Sequence, residues 1–277
     1  MSKIKMRLGH SPDPDDAFMF YAIAKEKITS DHIDFEHVVE DIQSLNKRAL
    51  NQELETTAIS AHGYLKVQDQ YRIMNCGASM GDGYGPIVVA NEPIESLKGK
   101  RIAVPGKLTT AYLLLMLFVD DFIPVEAAFD DIIDEVKNNN VDAGLLIHEG
   151  QLTYKDHDLV LLHDLGILWA EETSLPLPLG LNVIKRDIDE DLQKEILRVH
   201  QESIEYSLAN KEEALEYALD FGRGIDTDVN EKFVLMYVND LTVGLGEDGV
   251  AALRYLFDRS YEKGLIEDKP RLDILVS

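Results

Sequence analysis

Residues 45–63 read "LNKRALNQELETTAISAHG", and residues 132–150 read "IIDEVKNNNVDAGLLIHEG". Each runs from a helical stretch through a polar turn into a short apolar strand that stops at a glycine. Laid over one another without a gap, at an offset of 87, they pair Leu54 with Val141, Glu55 with Asp142 and Ala61 with His148. A second echo surrounds the first. "KIKMRLGHS" (3–11) leads into the helical "DAFMFYAIAKEKI" (16–28), and "GKRIAVPG" (99–106) leads into "TTAYLLLMLFVDDF" (109–122). Both units follow one plan of strand, short polar turn and helix, with Asp15 or Asp16 expected to cap the first helix and the Thr-Thr pair to open the second.

Strands alternating with helices call for a parallel or mixed sheet covered on both faces. In such sheets ligands bind beyond the carboxyl ends of the strands, at the turns into the helices. The two echoes supply four such turns, at residues 11–16, 58–62, 107–111 and 148–151. The expected architecture is α/β, two lobes with mixed sheets and a cleft between them that these four turns line. "YGPIVVANEP" (84–93) and "PLGLNVIKRD" (178–187) read as the strands that cross between lobes, giving lobe 1 as 1–90 plus 184–277 and lobe 2 as 91–183. Everything after Asp189 reads as amphipathic helix and is expected to pack on lobe 1.

Composition narrows the function. The chain has 277 residues, a net charge of -24 and a pI near 4.6. A surface this acidic repels phosphate backbones and anionic lipid, so nucleic-acid and membrane partners are not expected. Cys76 is the sole cysteine, which excludes an intrachain disulfide and a cysteine-built zinc cage. The apolar run 111–119 is too short to span a bilayer, and "MSKIKMRLGH" lacks the apolar stretch of a secretory signal, so a cytoplasmic location is expected. The expected partner is a small molecule, and a homodimer is left open.

Several residues at the turns could carry chemistry. In "GLLIHEGQ" (144–151) an apolar strand ends abruptly at His148, which puts an imidazole where a ligand would sit. It could take a proton at neutral pH with Glu149 to orient it, or it could be an ordinary strand-end histidine bonded to backbone. The helix start at Thr109 and Thr110 offers backbone N–H groups and two hydroxyls, either a neutral anion seat or a common N-cap. Ser60 and Asn46 could add hydrogen bonds, and His62 competes with His148 for the part of base. "HSPDPDD" (10–16) stiffens a turn with Pro12 and Pro14 and sets aspartates, Asp13 among them, beside His10 and Ser11. It reads as helix capping combined with a cleft wall, and less well as a metal site. Neither Gly-x-Ser-x-Gly, a Walker loop nor His-Glu-x-x-His occurs, which favours proton transfer over acyl or phosphoryl transfer.

Taken in order, "SPDPDDAFMFYA", "EDIQSLNKRAL", "GPIVVA", "AVPGKLTTAYLLL", "LIHEGQLTY" and "LPLPLG" resemble the 1,4-dihydroxy-6-naphthoate synthase family of the futalosine route to menaquinone. Chorismate dehydratase of the same route is a relative. The resemblance spans essentially the whole chain. It implies the fold of type 2 periplasmic binding proteins and a lyase needing neither metal nor organic cofactor. It also implies His148 as catalytic base, with ligand contacts at Asn46, Ser60, Thr110 and Ala111 beside Thr109. The chain departs from the usual family pattern in two stretches, and His62 is an addition to it. Asp13-Pro14-Asp15-Asp16-Ala17 stands where Cys-Pro-Asn-Asp-Thr is usual, and Ala58-Ile59-Ser60 where Lys-Leu-Ser is frequent. These changes make the site more acidic and leave the exact substrate open. The rival readings are a solute-binding protein of the same fold that does no chemistry, and a metal-dependent hydrolase built on residues 10–16.

Overall fold

The computed structural model describes residues 3–221 and 227–276. In chain order the strands are β1 (Ile4–His10), β2 (Ile33–Val39), β3 (Thr56–Ser60), β4 (Tyr71–Met74), β5 (Ser79–Gly81) and β6 (Ile87–Ala90). They continue with β7 (Arg101–Val104), β8 (Ile123–Glu126), β9 (Ala143–Leu146), β10 (Val160–Asp164), β11 (Leu177–Lys185) and β12 (Ile274–Leu275). The helices are α1 (Pro14–Ala24), α2 (Ile42–Leu50), α3 (Ala61–Val67), α4 (Thr110–Phe118), α5 (Ile132–Lys137) and α6 (Gly150–Thr153). After them come α7 (Leu165–Thr173), α8 (Glu190–Ala209), α9 (Lys211–Leu219), α10 (Thr227–Tyr237), α11 (Asp240–Val243) and α12 (Gly246–Glu262).

The strands form two mixed sheets. One has seven strands, in the order β12-β4-β11-β3-β1-β2, with β5 paired to β11; the other has five, in the order β10-β6-β9-β7-β8. The internal echo is visible in the pairing. β1 lies parallel to β2 and β3, and β7 lies parallel to β8 and β9. Each trio is then closed by one antiparallel strand, β11 on β3 and β6 on β9. Thr56 sits opposite Leu8 and its counterpart at the offset of 87, Ala143, sits opposite Ile102, so β3 and β9 hold equivalent places beside the first strand of each trio.

Strand β6 pairs with β9 and β10 in the second sheet, whereas β11 pairs along its length with strands of the first. The expected lobe boundaries at 90 and 183 would leave β6 with the first lobe and divide β11. Apolar runs mark both strands as buried, but a run by itself does not name the sheet it joins. The C-terminal region differs from the all-helical expectation in one element, since β12 adds to β4 in parallel at the sheet edge.

Helix α1 shows how the first turn is built. Pro14 occupies a first-turn position, where its missing N–H costs nothing and its fixed φ suits the helix. Residues 14–23 are all buried, so this helix has no solvent face and works as a central strut. It packs against α8 and α9, and Ser203 of α8 donates to the Met19 carbonyl at 2.8 Å. The C-terminal helices thus support the first sheet from behind. Lys25 N–H returns to the Tyr21 carbonyl and ends α1.

Candidate active site

A cavity lies between the two sheets. All four turns expected from the echoes reach it: Ser11, Asp13, Asp15 and Asp16; Ala58, Ile59 and Ser60; Thr109, Thr110 and Ala111; His148 and Gln151. No lysine or arginine is among its described lining residues.

Asp13, Asp15 and Asp16 are all buried at the turn after β1. Neither Asp15 nor Asp16 caps α1. Asp13 holds the N-cap position with an extended backbone, and its side chain makes no capping bond. Asp16 instead reaches back to accept the Ser11 N–H at 2.7 Å, while Asp13 N–H donates to Ser11 Oγ at 3.2 Å. The turn is therefore closed by a side chain from inside the helix, a device that Pro14 makes room for by taking the first helical position. Burial pushes the Asp16 carboxyl up to about 6, with the nearby Asp13 adding to the rise. Burial also raises Asp15 well above the ordinary carboxylate range, helped by Asp16 and Asp13. A site with three aspartates is thus less anionic than its formal count, because desolvation favours the protonated acid. His10 is turned away from these carboxylates; its ring nitrogens meet the Ser11 carbonyl and His37 Nδ1, each at 3.0 Å.

At the turn after β3, the Asn46 side chain of α2 orients Ser60. Its amide donates to Ser60 Oγ at 3.0 Å, and its oxygen accepts Ser60 N–H at 2.9 Å. Asn46 does not line the cavity; it holds a residue that does. His62 also stays out of the wall. It is buried, its ring faces the Thr109 carbonyl at 3.3 Å, and burial lowers it to about 4. A neutral histidine spent on a carbonyl across the cleft is an inter-sheet tie and no rival base.

Both hydroxyls of the α4 start are committed. Thr109 Oγ1 accepts from Tyr112 N–H at 3.2 Å and donates to the Gly106 carbonyl at 2.7 Å. Thr110 Oγ1 donates to the Leu179 carbonyl at 2.6 Å and accepts from His62 N–H at 3.3 Å. The expected anion seat is therefore reduced to backbone: the first-turn N–H groups that a helix cannot satisfy internally. Gly106 has a φ of +135°, and a Cβ there would meet the Gln43 side chain at 2.4 Å. The glycine lets α2 approach this turn closely enough for Gln43 Oε1 to accept from Leu108 N–H at 3.3 Å.

His148 lies in the cavity wall with a φ of +53°, in the left-handed region that few side-chain-bearing residues adopt. Its ring stands edge-on to Phe129 and Phe233, at centroid distances of 5.0 and 6.2 Å. Nε2 is 3.5 Å from Asp13 Oδ2. With the Gln151 amide oriented to satisfy its neighbours, its oxygen accepts from His148 N–H at 3.2 Å and its nitrogen donates to the Gly85 carbonyl at 2.6 Å. Sequence reading offered Glu149 as the orienting group; the carboxylate the fold sets beside the ring is Asp13. It also missed Gln151 as a support, and Phe233 and Tyr237, which α10 sends into the cavity from far along the chain. An amphipathic period marks α10 as packed but says nothing of what its apolar face meets.

Two α/β sheets with strand-to-helix turns facing a common cavity define the class of type 2 periplasmic-binding-protein folds. The alkanesulfonate-binding protein SsuA of Xanthomonas axonopodis pv. citri, bound to MOPS, superposes with a TM-score of 0.71 over 97% of this chain and 96% of its own, at 12% identity. That likeness concerns the fold alone. Within the class, residues 6–262 match the family model described as menaquinone biosynthesis. A 1,4-dihydroxy-6-naphtoate synthase of Thermus thermophilus is 41% identical over 266 residues, covering 96% of this chain and 97% of the relative. A crystal structure of an Archaeoglobus fulgidus protein is 53% identical, with a TM-score of 0.91 over 95% of this chain and 98% of that one. The chain belongs to the menaquinone-biosynthesis family, and it is an enzyme of that biosynthesis. No described helix is long and apolar enough to cross a membrane.

Proposed function

We propose that the protein converts cyclic dehypoxanthinyl futalosine to 1,4-dihydroxy-6-naphthoate as a cofactor-independent lyase, with His148 as general base. The observation that carries this reading is His148 itself, clamped in a left-handed conformation on the wall of the inter-sheet cavity of a chain 41% identical to a named synthase. In this reading His148 takes a proton from the bound substrate, so that ring opening and elimination can lead to the aromatic product with loss of a sugar-derived fragment. Ser60, oriented by Asn46, positions the ligand, and the backbone at Thr110 and Ala111 receives its carboxylate. Burial raises the Asp15 and Asp16 carboxyls, which works against the charge repulsion that such a substrate would otherwise meet. The partner is a small molecule, handled in the cytoplasm, and the lobes are proposed to divide where the chain passes between sheets, ahead of β6 and ahead of β11.

A second reading, solute binding without chemistry, is favoured by the cavity's lack of a lysine or arginine, with Ala58 in its wall. One assay separates the two. Purified protein is incubated with cyclic dehypoxanthinyl futalosine, and dihydroxynaphthoate is sought by mass spectrometry, wild type beside His148→Ala. The expected result is product from wild type and a loss of at least about 100-fold in the variant, the low end of general-base contributions. Binding of the substrate by a folded wild-type protein that yields no product would favour the solute-binding reading.

A further inference from the structure

The deepest carboxylate in the cavity wall and the imidazole come from opposite sheets. Asp13 lies on the turn after β1 and His148 just beyond β9, yet Asp13 Oδ2 and His148 Nε2 are 3.5 Å apart. The side chain of Asp13 is 5% exposed and that of His148 17%. We propose that Asp13 is the positioning residue for His148: it holds the ring with the proton on Nε2, presents Nδ1 as the accepting nitrogen, and balances the imidazolium formed when the substrate gives up its proton. This rests on the reading of His148 as base.

Three observations support the assignment. First, His148 is otherwise fixed at its backbone, by Gln151, and by the two aromatic edges, neither of which selects a ring nitrogen. The carboxylate supplies that choice, since it can only accept the ring N–H. Second, at 3.5 Å the Asp13 carboxylate stands within ion-pair reach of the ring, close enough to balance a positive charge formed on it. Third, the pair bridges the cleft. Ties such as Asn46 Nδ2 to the Leu108 carbonyl (3.4 Å) and His62 N–H to Thr110 Oγ1 (3.3 Å) draw the same two sets of turns together. The base is therefore oriented only when the sheets face one another closely, which makes an open cleft unreactive. The step conserves charge. A substrate proton moves to Nδ1, its electron pair stays on the substrate, and the new positive charge sits against Asp13.

The test uses the whole chain, with ¹⁵N-labelled histidine, as wild type, Asp13→Asn and Asp13→Ala; the His148 signals are assigned by their loss in His148→Gln. The expected spectrum for the wild type shows the proton on Nε2, and Asp13→Asn shifts population toward Nδ1–H, because an amide can donate to Nε2. With substrate, kcat is expected to fall roughly 10- to 100-fold, less than the full general-base contribution, while KM stays within about two-fold. Added formate should restore part of the kcat of Asp13→Ala, whose truncation leaves a gap at the cavity wall. An imidazole spectrum unchanged by both substitutions would overturn the proposal, as would full kcat in both. If the wild type turns over no substrate, the reading of function fails; the spectra still decide whether Asp13 sets the ring.

Discussion

Asp16 shows what one side chain does under competing forces. Its carboxylate accepts the Ser11 N–H, which favours the charged form, yet desolvation is larger and lifts it to about 6. Its folded-state value lies above the ordinary 3.8, so the native state holds the extra proton between those two pH values. Stability from this group is then full at low pH and lost as pH rises through about 6. Asp16→Asn keeps an acceptor for Ser11 and removes the buried charge. The variant is expected to melt a few degrees higher than wild type at pH 7.5, equivalent to about 1–3 kcal/mol, with the gain shrinking toward pH 5. Thermal unfolding at the two pH values checks this. An equal gain at both would show that charge is not the cause.

The contact between α2 and α3 offers the test at the level of elements. Gly63 lies in α3, where a change to alanine normally gains up to about 1 kcal/mol of helix propensity. A Cβ at Gly63, however, would stand 2.5 Å from Asn46 Oδ1, the atom that accepts Ser60 N–H. Displacing Asn46 leaves buried polar groups unpaired at about 1–3 kcal/mol each, so the clash outweighs the propensity. Gly63→Ala is expected to lower stability and to weaken substrate binding about ten-fold, read by thermal unfolding and calorimetric titration. A variant as stable as wild type, with full affinity, would count against the role given to Asn46. The sequence carried much of this site because strand-to-helix turns announce themselves through patterning, which is local. His148, Ser60 and the α4 start, which the fold sets on the cavity wall, were singled out that way. What it could not carry is direction: that Asn46 stands behind Ser60, that His62 points to a carbonyl, or that Asp16 bends back to Ser11. Those depend on which side chain fills which space after the sheets pack. The sheets that β6 and β11 join and the α10 wall were hidden for the same reason, since an apolar strand or stripe is silent about its partner.

For the whole molecule, burial of histidines sets the acid limit. His10 and His62 are lowered to about 4 and His200 to about 3, in each case chiefly by desolvation. Below the ordinary 6.5 the unfolded chain takes up protons that these native groups refuse, so stability is full above that value and falls as pH drops toward 4. His200 is the clearest case, since its Nε2 is buried without a hydrogen bond among the described residues and its ring meets Phe20 and Phe35 edge-on. His200→Leu, of similar volume, is expected to be neutral or stabilising by about 1 kcal/mol at pH 7.5. It should also flatten the decline in denaturation midpoint between pH 6.5 and 4.5. An unchanged slope in urea titrations would reassign the acid limit to other groups. Across the surface, a net charge of -24 predicts that raising salt from about 20 to about 200 mM raises the melting temperature by screening self-repulsion.

The repeat that organises the two sheets is broken at one telling place. At the offset of 87, Ser60 and Ile147 both face the cavity, but the next position is Ala61 in one half and His148 in the other. Two walls of one plan thus carry an imidazole on a single side. With His148 as the proposed base, a ligand seated between them would surrender a hydrogen toward that wall and not toward the opposite one. For a prochiral carbon, the choice between its paired hydrogens would then be made by the fold before any chemistry begins, and stereospecific deuterium labelling would read that handedness directly.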